Sequence, residues 1–173
     1  MLIDITKALN EEGFNKKFPV SLAKEDIELG DGFVVTHDIE TEIQIKNDNG
    51  SALLITCNFD VELTAPCSRC LKETCVSLNA IVDEEFRLSG HEIILDNDND
   101  APFIEGEFLN ACKLLHEWIL SQLPSKVLCK DDCKGLCPVC GQNLNERDCD
   151  CDRTVMDPRM EKFKDLFDKF KEV

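Results

Sequence analysis

Eight cysteines stand at spacings that suit metal binding: Cys67 and Cys70 in Cys67-Ser-Arg-Cys70, then Cys129, Cys133, Cys137, Cys140, Cys149 and Cys151 in one short stretch. The stretch Cys129 to Cys151 holds too little apolar sequence to bury a core of its own, so something other than burial must hold it together. Tetrahedral zinc bound by thiolates does this, because a Cys-x-x-Cys turn closes over one ion and the binding energy becomes folding energy. Cys137-Pro-Val-Cys140-Gly141 reads as such a turn: Pro138 presets φ and Gly141 lets the backbone curl back.

Two four-thiolate ions need eight cysteines, and these are eight. The preferred division joins Cys67 and Cys70 to Cys129 and Cys133, and leaves Cys137, Cys140, Cys149 and Cys151 as a local site. The other division is a single zinc on four of the six C-terminal thiols, with Cys67 and Cys70 free or oxidisable. A redox pair at Cys67 and Cys70 is the weaker reading, since the pair follows Pro66 in a turn between strand patterns rather than at a strand-to-helix junction. Cys57, Cys75 and Cys112 sit within apolar patterns, where a small buried thiol is the ordinary role. Arg69, between the first two thiols, offsets thiolate charge, meets a partner, or is an exposed turn residue.

A closed four-sulfur shell leaves no open position for water, so the expected role of zinc is structural rather than hydrolytic. His37, His91 and His116 are scattered and form no metal or nucleophile motif. No enzyme and no small-molecule substrate is expected. Asp96 to Asp100 alternates acidic side chains as part of a calcium loop does, yet lacks the glycine and distal glutamate of an EF-hand and reads as a solvated loop.

The elements that must position the thiols are mostly strands, and the expected class is α+β. Ile39, Thr41, Ile43 and Ile45 alternate with polar residues, the period of a strand with one buried face. Asn47-Asp-Asn-Gly50 suits a hairpin turn, after which Ala52 to Thr64 resumes extended structure. Val76, Leu78, Ala80 and Val82 keep period two as far as Phe86, and His91 to Leu95 reads as a short further strand. These runs predict an antiparallel meander or partial barrel. From Glu107 the spacing turns helical, with Phe108, Ala111, Cys112, Leu115, Trp118 and Ile119 forming a stripe that Leu123-Pro124 ends. A terminal helix follows Asp157-Pro158, with Met160, Phe163, Phe167 and Phe170 on one face. The expected organisation is a β-rich domain with a covering helix over 1–124, a zinc segment over 125–156 and an amphipathic helix over 157–173. Residues 1–29 specify little.

The chain carries 35 acidic against 19 basic residues, a net charge of −16, with 43% apolar content that marks it as globular. Affinity through phosphate neutralisation usually needs a basic protein, so a nonspecific grip on nucleic acid is disfavoured. An acidic surface steers basic proteins instead. No stretch is apolar enough to span a bilayer and the first residues do not form a signal peptide, so a cytoplasmic protein is expected. Thiols stay reduced there, and an odd number of cysteines, 11, also argues against a closed disulfide framework.

Cys67-Ser-Arg-Cys-Leu71 after a β-rich half, Cys133-Lys-Gly-Leu-Cys-Pro-Val-Cys-Gly-Gln-Asn-Leu-Asn145, the Cys149 and Cys151 pair and Asp157-Pro-Arg159 together closely resemble the YceD-like family of bacterial and plastid proteins. The resemblance implies a role in accumulation of large-subunit ribosomal RNA, and hence in ribosome assembly. With the charge, it points to a basic ribosomal protein or the pre-ribosomal large subunit as partner. Direct contact with ribosomal RNA through Arg69, Lys72, Lys126, Lys130 and Lys134 is the alternative, and a thiol- or zinc-based redox regulator is a third.

Overall fold

The computed structural model describes residues 1–95 and 101–152. The expected loop Asp96 to Asp100 and the expected helix over 157–173 lie outside them. Residues 1–29, which show no clear period, open with a short strand β1 (Leu2–Asp4), a single-turn helix α1 (Thr6–Asn10) and the longer strand β2 (Asn15–Leu22). A 3-10 turn at Lys24–Asp26 and the glycine-flanked bend at Asp31 lead into β3 (Val34–Val35). Gly30, Asp31 and Gly32 all have positive φ, the conformation that glycine tolerates best.

The alternating segment forms β4 (Ile39–Asp48), with Ile39, Ile43 and Ile45 buried. The turn that follows has Asn49 and Gly50 at φ 51 and 75, and returns the chain into β5 (Ala52–Pro66). Asn47 locks this turn to the N-terminal segment. Its side-chain amide donates to Ala8 O at 2.7 Å, its carbonyl accepts from Gly50 N at 2.7 Å, and its backbone N–H reaches Phe14 O at 2.8 Å. A buried amide is tolerated because its bonds are made.

After the Cys67 turn, β6 (Glu73–Ser89) pairs with β5 along its length, from Pro66↔Glu73 to Ala52↔Arg87. The short β7 (Glu92–Ile93) then pairs with Ser89 and Leu88, and Ile94 N adds a bond to Arg87 O at 2.9 Å, so only part of the expected strand His91 to Leu95 lies against β6. The main sheet runs β2-β4-β5-β6-β7, with β3 beside β5. It is antiparallel and curled as a half-barrel, and its end strands do not pair among the described residues.

Next come β8 (Ile104–Glu105), β9 (Phe108–Asn110) and helix α2 (Ala111–Gln122). The helix thus starts later than the spacing from Glu107 predicts. Phe108 pairs with Asp4 of β1 and Glu105 of β8, leaving its side chain largely exposed, and Asn110 caps the helix by accepting from Lys113 N at 3.3 Å. Strand pairing by β1 overrides the helical period there. The rest of the stripe holds: Ala111, Leu114, Leu115 and Ile119 are buried under the sheet, with Cys112 and Trp118 packed at its margin. Each such buried Leu or Ile contributes about 1.5–3 kcal/mol.

The outcome is one continuous core between α2 and the inner face of the sheet, plus a small satellite of Cys67, Cys70 and Cys133 with Leu128, Cys129 and Leu136 around it. Alternation along β5 decides this arrangement. Its odd-numbered residues fill the core, and its last turn delivers Cys67 to the satellite.

Candidate metal centres

All eleven cysteines are free thiols, and eight gather in two groups. In the first, the sulfurs of Cys67, Cys70, Cys129 and Cys133 lie within 4.8 Å of one another. In the second, those of Cys137, Cys140, Cys149 and Cys151 do the same. This grouping follows the preferred division rather than a single site within the C-terminal segment. Sulfurs bound at ~2.3 Å to one tetrahedral ion stand about 3.8 Å apart. The Cys67–Cys133 pair is 3.8 Å apart and the Cys70–Cys129 pair 3.5 Å, which matches that size.

The two Cys-x-x-Cys turns are built alike. Cys67 N donates to Lys72 O at 2.8 Å and Leu71 N to Cys67 O at 2.9 Å; Cys137 N donates to Gln142 O at 2.8 Å and Gly141 N to Cys137 O at 2.9 Å. Each turn needs positive φ just after its second cysteine, and Leu71 (62) and Gly141 (73) supply it. Glycine does this without strain, whereas Leu71 adopts it at a cost of about 1–2 kcal/mol. Neither turn needs an apolar tip, since Leu71 and Val139 are 66% and 56% exposed.

The first group is tied across the molecule. Ser68 N donates to Val127 O at 2.7 Å, and Val127 N returns a bond to Ser68 Oγ at 3.1 Å. Arg69 donates from Nη1 to Cys133 O at 2.8 Å, while its own carbonyl accepts from Leu136 N at 3.1 Å. Arg69 is an exposed turn residue, as one expectation had it, and it also clamps the two halves of the site. Gly135, at φ 78, lies so close to this clamp that a Cβ would stand 3.0 Å from Arg69 O. Asn145 also braces the first group. Its Nδ2 donates to Cys133 Sγ at 3.3 Å and its Oδ1 accepts from Lys134 N at 2.9 Å. Ser68, Gly135 and Asn145 are not marked by any spacing in the sequence.

The surroundings of the thiols favour charge that a cation would neutralise. Burial opposes ionisation of Cys67, but N–H groups of Arg69, Cys129 and Cys70 outweigh it and hold the thiol at about 6. Burial likewise opposes ionisation of Cys133, and the Asn145 amide and Gly135 N–H outweigh it. Cys129 is pushed up to about 12 by Cys70 first, then by burial and by Cys133 and Cys67. The second group repeats the pattern. N–H groups of Cys140 and Val139 bring Cys137 to about 6, while Cys140, burial and Cys149 push Cys151 up to about 12. Four thiolates so close cannot all ionise unless a cation neutralises them. The donor set therefore fits a soft or borderline divalent ion held by four sulfurs.

The remaining thiols stay outside these groups. Cys57 is buried under the sheet and burial raises it to about 11; Cys112 Sγ accepts from the Met1 amino group at 3.0 Å. Cys75 lies on the outer face of β6 and is exposed, against the expectation of a buried thiol, because its strand position points away from the core. The three histidines also stand apart: His37 lies beside Thr36 and Glu62, His91 contacts Leu9 O, and His116 contacts Glu28 O at 2.9 Å.

No curated protein sequence matches the chain. No solved structure does either. A family model does match, over residues 55–167, a span that contains all eight clustered cysteines and most of β5, the whole of β6 and α2. Its description is large ribosomal RNA subunit accumulation protein YceD, so the chain belongs to the YceD family.

Proposed function

We propose that the protein is a noncatalytic factor in assembly of the large ribosomal subunit, acting in the cytoplasm through an acidic surface that engages a basic ribosomal protein or the pre-ribosomal particle. The family description implies a role in accumulation of large-subunit ribosomal RNA. The observation that carries the choice of partner is the net charge of −16. Zinc is the ion this reading assigns to both thiol groups, with Cys67, Cys70, Cys129 and Cys133 on one and Cys137, Cys140, Cys149 and Cys151 on the other. Each four-sulfur shell is closed, so the ions hold structure and offer no position for substrate or water. The first ties a cysteine-rich unit over 125–156 to a β-rich body over 1–124. Among the described residues no helix is long and apolar enough to cross a membrane.

Direct RNA binding is the weaker reading. Arg69 is engaged with Cys133 O and Lys130 pairs with Asp132 at 3.5 Å, so the cations named for an RNA patch are partly committed within the protein. The test is binding of the zinc-loaded chain to purified large-subunit proteins and to naked large-subunit RNA across a salt series. Proteins should bind, with affinity falling steeply as salt rises. Salt-insensitive binding to RNA alone overturns the proposal.

A further inference from the structure

The two long edges of the main sheet are built differently. Strand β2 closes one side, and it carries Lys16, Lys17 and Pro19, the residues with which proteins block pairing by a foreign strand. Strand β6 pairs on one side with β5, and on the other β7 and Ile94 reach only Arg87, Leu88 and Ser89. Phe103 packs on Phe86 and Ala101 lies close by, so cover from residues 101–103 starts near Glu84. From Glu73 to Asp83 no described strand pairs with the outer edge of β6, a length of about 36 Å at about 3.3 Å per residue.

Nothing in Glu73-Thr-Cys-Val-Ser-Leu-Asn-Ala-Ile-Val-Asp83 protects that edge: it contains no lysine, arginine, proline or glycine. Its charges are Glu73 at one end and Asp83, followed by Glu84 and Glu85, at the other. Ile81, a strong strand former, stands on the solvent side 59% exposed. Beside it the outer face of the sheet opens into a groove of about 1100 Å3, lined by Glu40, Glu42 and Asp83 together with Met1 and with Lys17, which is already paired with Glu42 at 3.3 Å.

We propose that the open edge of β6, from Glu73 to Asp83, is a strand-addition site for an extended basic segment of a partner protein. Main-chain bonds along the edge supply affinity. Alternate lysine or arginine side chains of the added strand reach the acidic groove, and an apolar residue between them covers Ile81. The same acidity disfavours an acidic strand and weakens pairing between two copies of this chain. The inference deepens the proposed function and rests on its reading of a basic partner.

The test uses the zinc-loaded full chain and a synthetic peptide of alternating lysine and valine, with a glutamate–valine peptide as the control. Residue-resolved amide exchange should slow by about tenfold or more at alternate positions between Glu73 and Asp83 with the lysine peptide only. Ile81→Lys, which copies the device on β2, should weaken binding by about tenfold or more and leave zinc content and unfolding temperature unchanged. Binding without protection of β6, or undiminished by Ile81→Lys, overturns the edge proposal while leaving an acidic docking surface elsewhere. Failure of both the peptide and large-subunit proteins to bind overturns the basic-partner reading as well. Protection of the same amides without peptide, in a dimer that Ile81→Lys dissolves, shows a second copy on the edge and overturns the foreign strand.

Discussion

Replacing Gly135 by alanine tests the geometry that brings the first thiol group together. Gly135 has φ 78, a conformation that costs an L-residue about 1–2 kcal/mol. The added Cβ would also stand 3.0 Å from Arg69 O, a backbone atom that cannot swing aside. Moving it away loosens the bond from Leu136 N to Arg69 O, now 3.1 Å, with a net value of about 1 kcal/mol. The total is about 2–3 kcal/mol, or about 4–12 °C in unfolding temperature for a chain of this size. Gly141→Ala is the matched control: its φ is 73, but a Cβ there meets nothing within 4 Å. It should cost only the backbone part, about 1–2 kcal/mol. Thermal unfolding of both variants, with the rate of metal release to a chelator, makes the comparison. Gly135→Ala should lose metal faster from Cys67, Cys70, Cys129 and Cys133. Equal destabilisation by the two variants, or faster release only from the other four thiols, would refute the close approach as the cause.

Three other outcomes are expected. Anaerobically purified protein should hold two zinc ions per chain, one for each thiol group, and Cys70→Ser should remove one of them by elemental analysis. Asn145→Ala removes the amide that bonds Cys133 Sγ, so zinc affinity at the first group should fall about 10–100-fold in a competition titration while the second group keeps its ion. The Glu84 carboxyl is raised by burial first and then by Asp83 and Glu117, although the Trp118 ring N–H bonds it and lowers it. Its folded pKa therefore lies above the unfolded one, and stability contributed by the protonated acid is lost as pH rises through the folded value. Glu84→Gln keeps an acceptor for Trp118 and should raise the unfolding temperature at neutral pH, with no gain below about pH 4.

Membership of the two thiol groups is legible in spacing, because a Cys-x-x-Cys turn is a local device that announces itself. The strands β4, β5 and β6 are legible for the same reason, their inner faces repeating every second residue. What escapes a linear reading is whatever depends on distant segments meeting. Ser68, Gly135 and Asn145 lie inside the two cysteine motifs, yet their contacts arise only because the end of β5 and the C-terminal segment touch. Phe108 fits a helical stripe, yet Leu2–Asp4 claims it for a strand. The three residues of β1 are too few to show any period. Cys75 shows the converse: the alternation of Val76, Leu78, Ala80 and Val82 assigns it to the outward face, whatever its apolar neighbours suggest.

The two thiol groups differ most in how far apart their members stand along the chain. Cys67 and Cys133 are 66 positions apart, and Cys70 and Cys129 are 59. Closing that loop costs about 1.4 kcal/mol more than bringing Cys137 to Cys151. The local quartet closes within one short segment, whereas the distant one also needs β6 to turn back on β5 and α2 to settle.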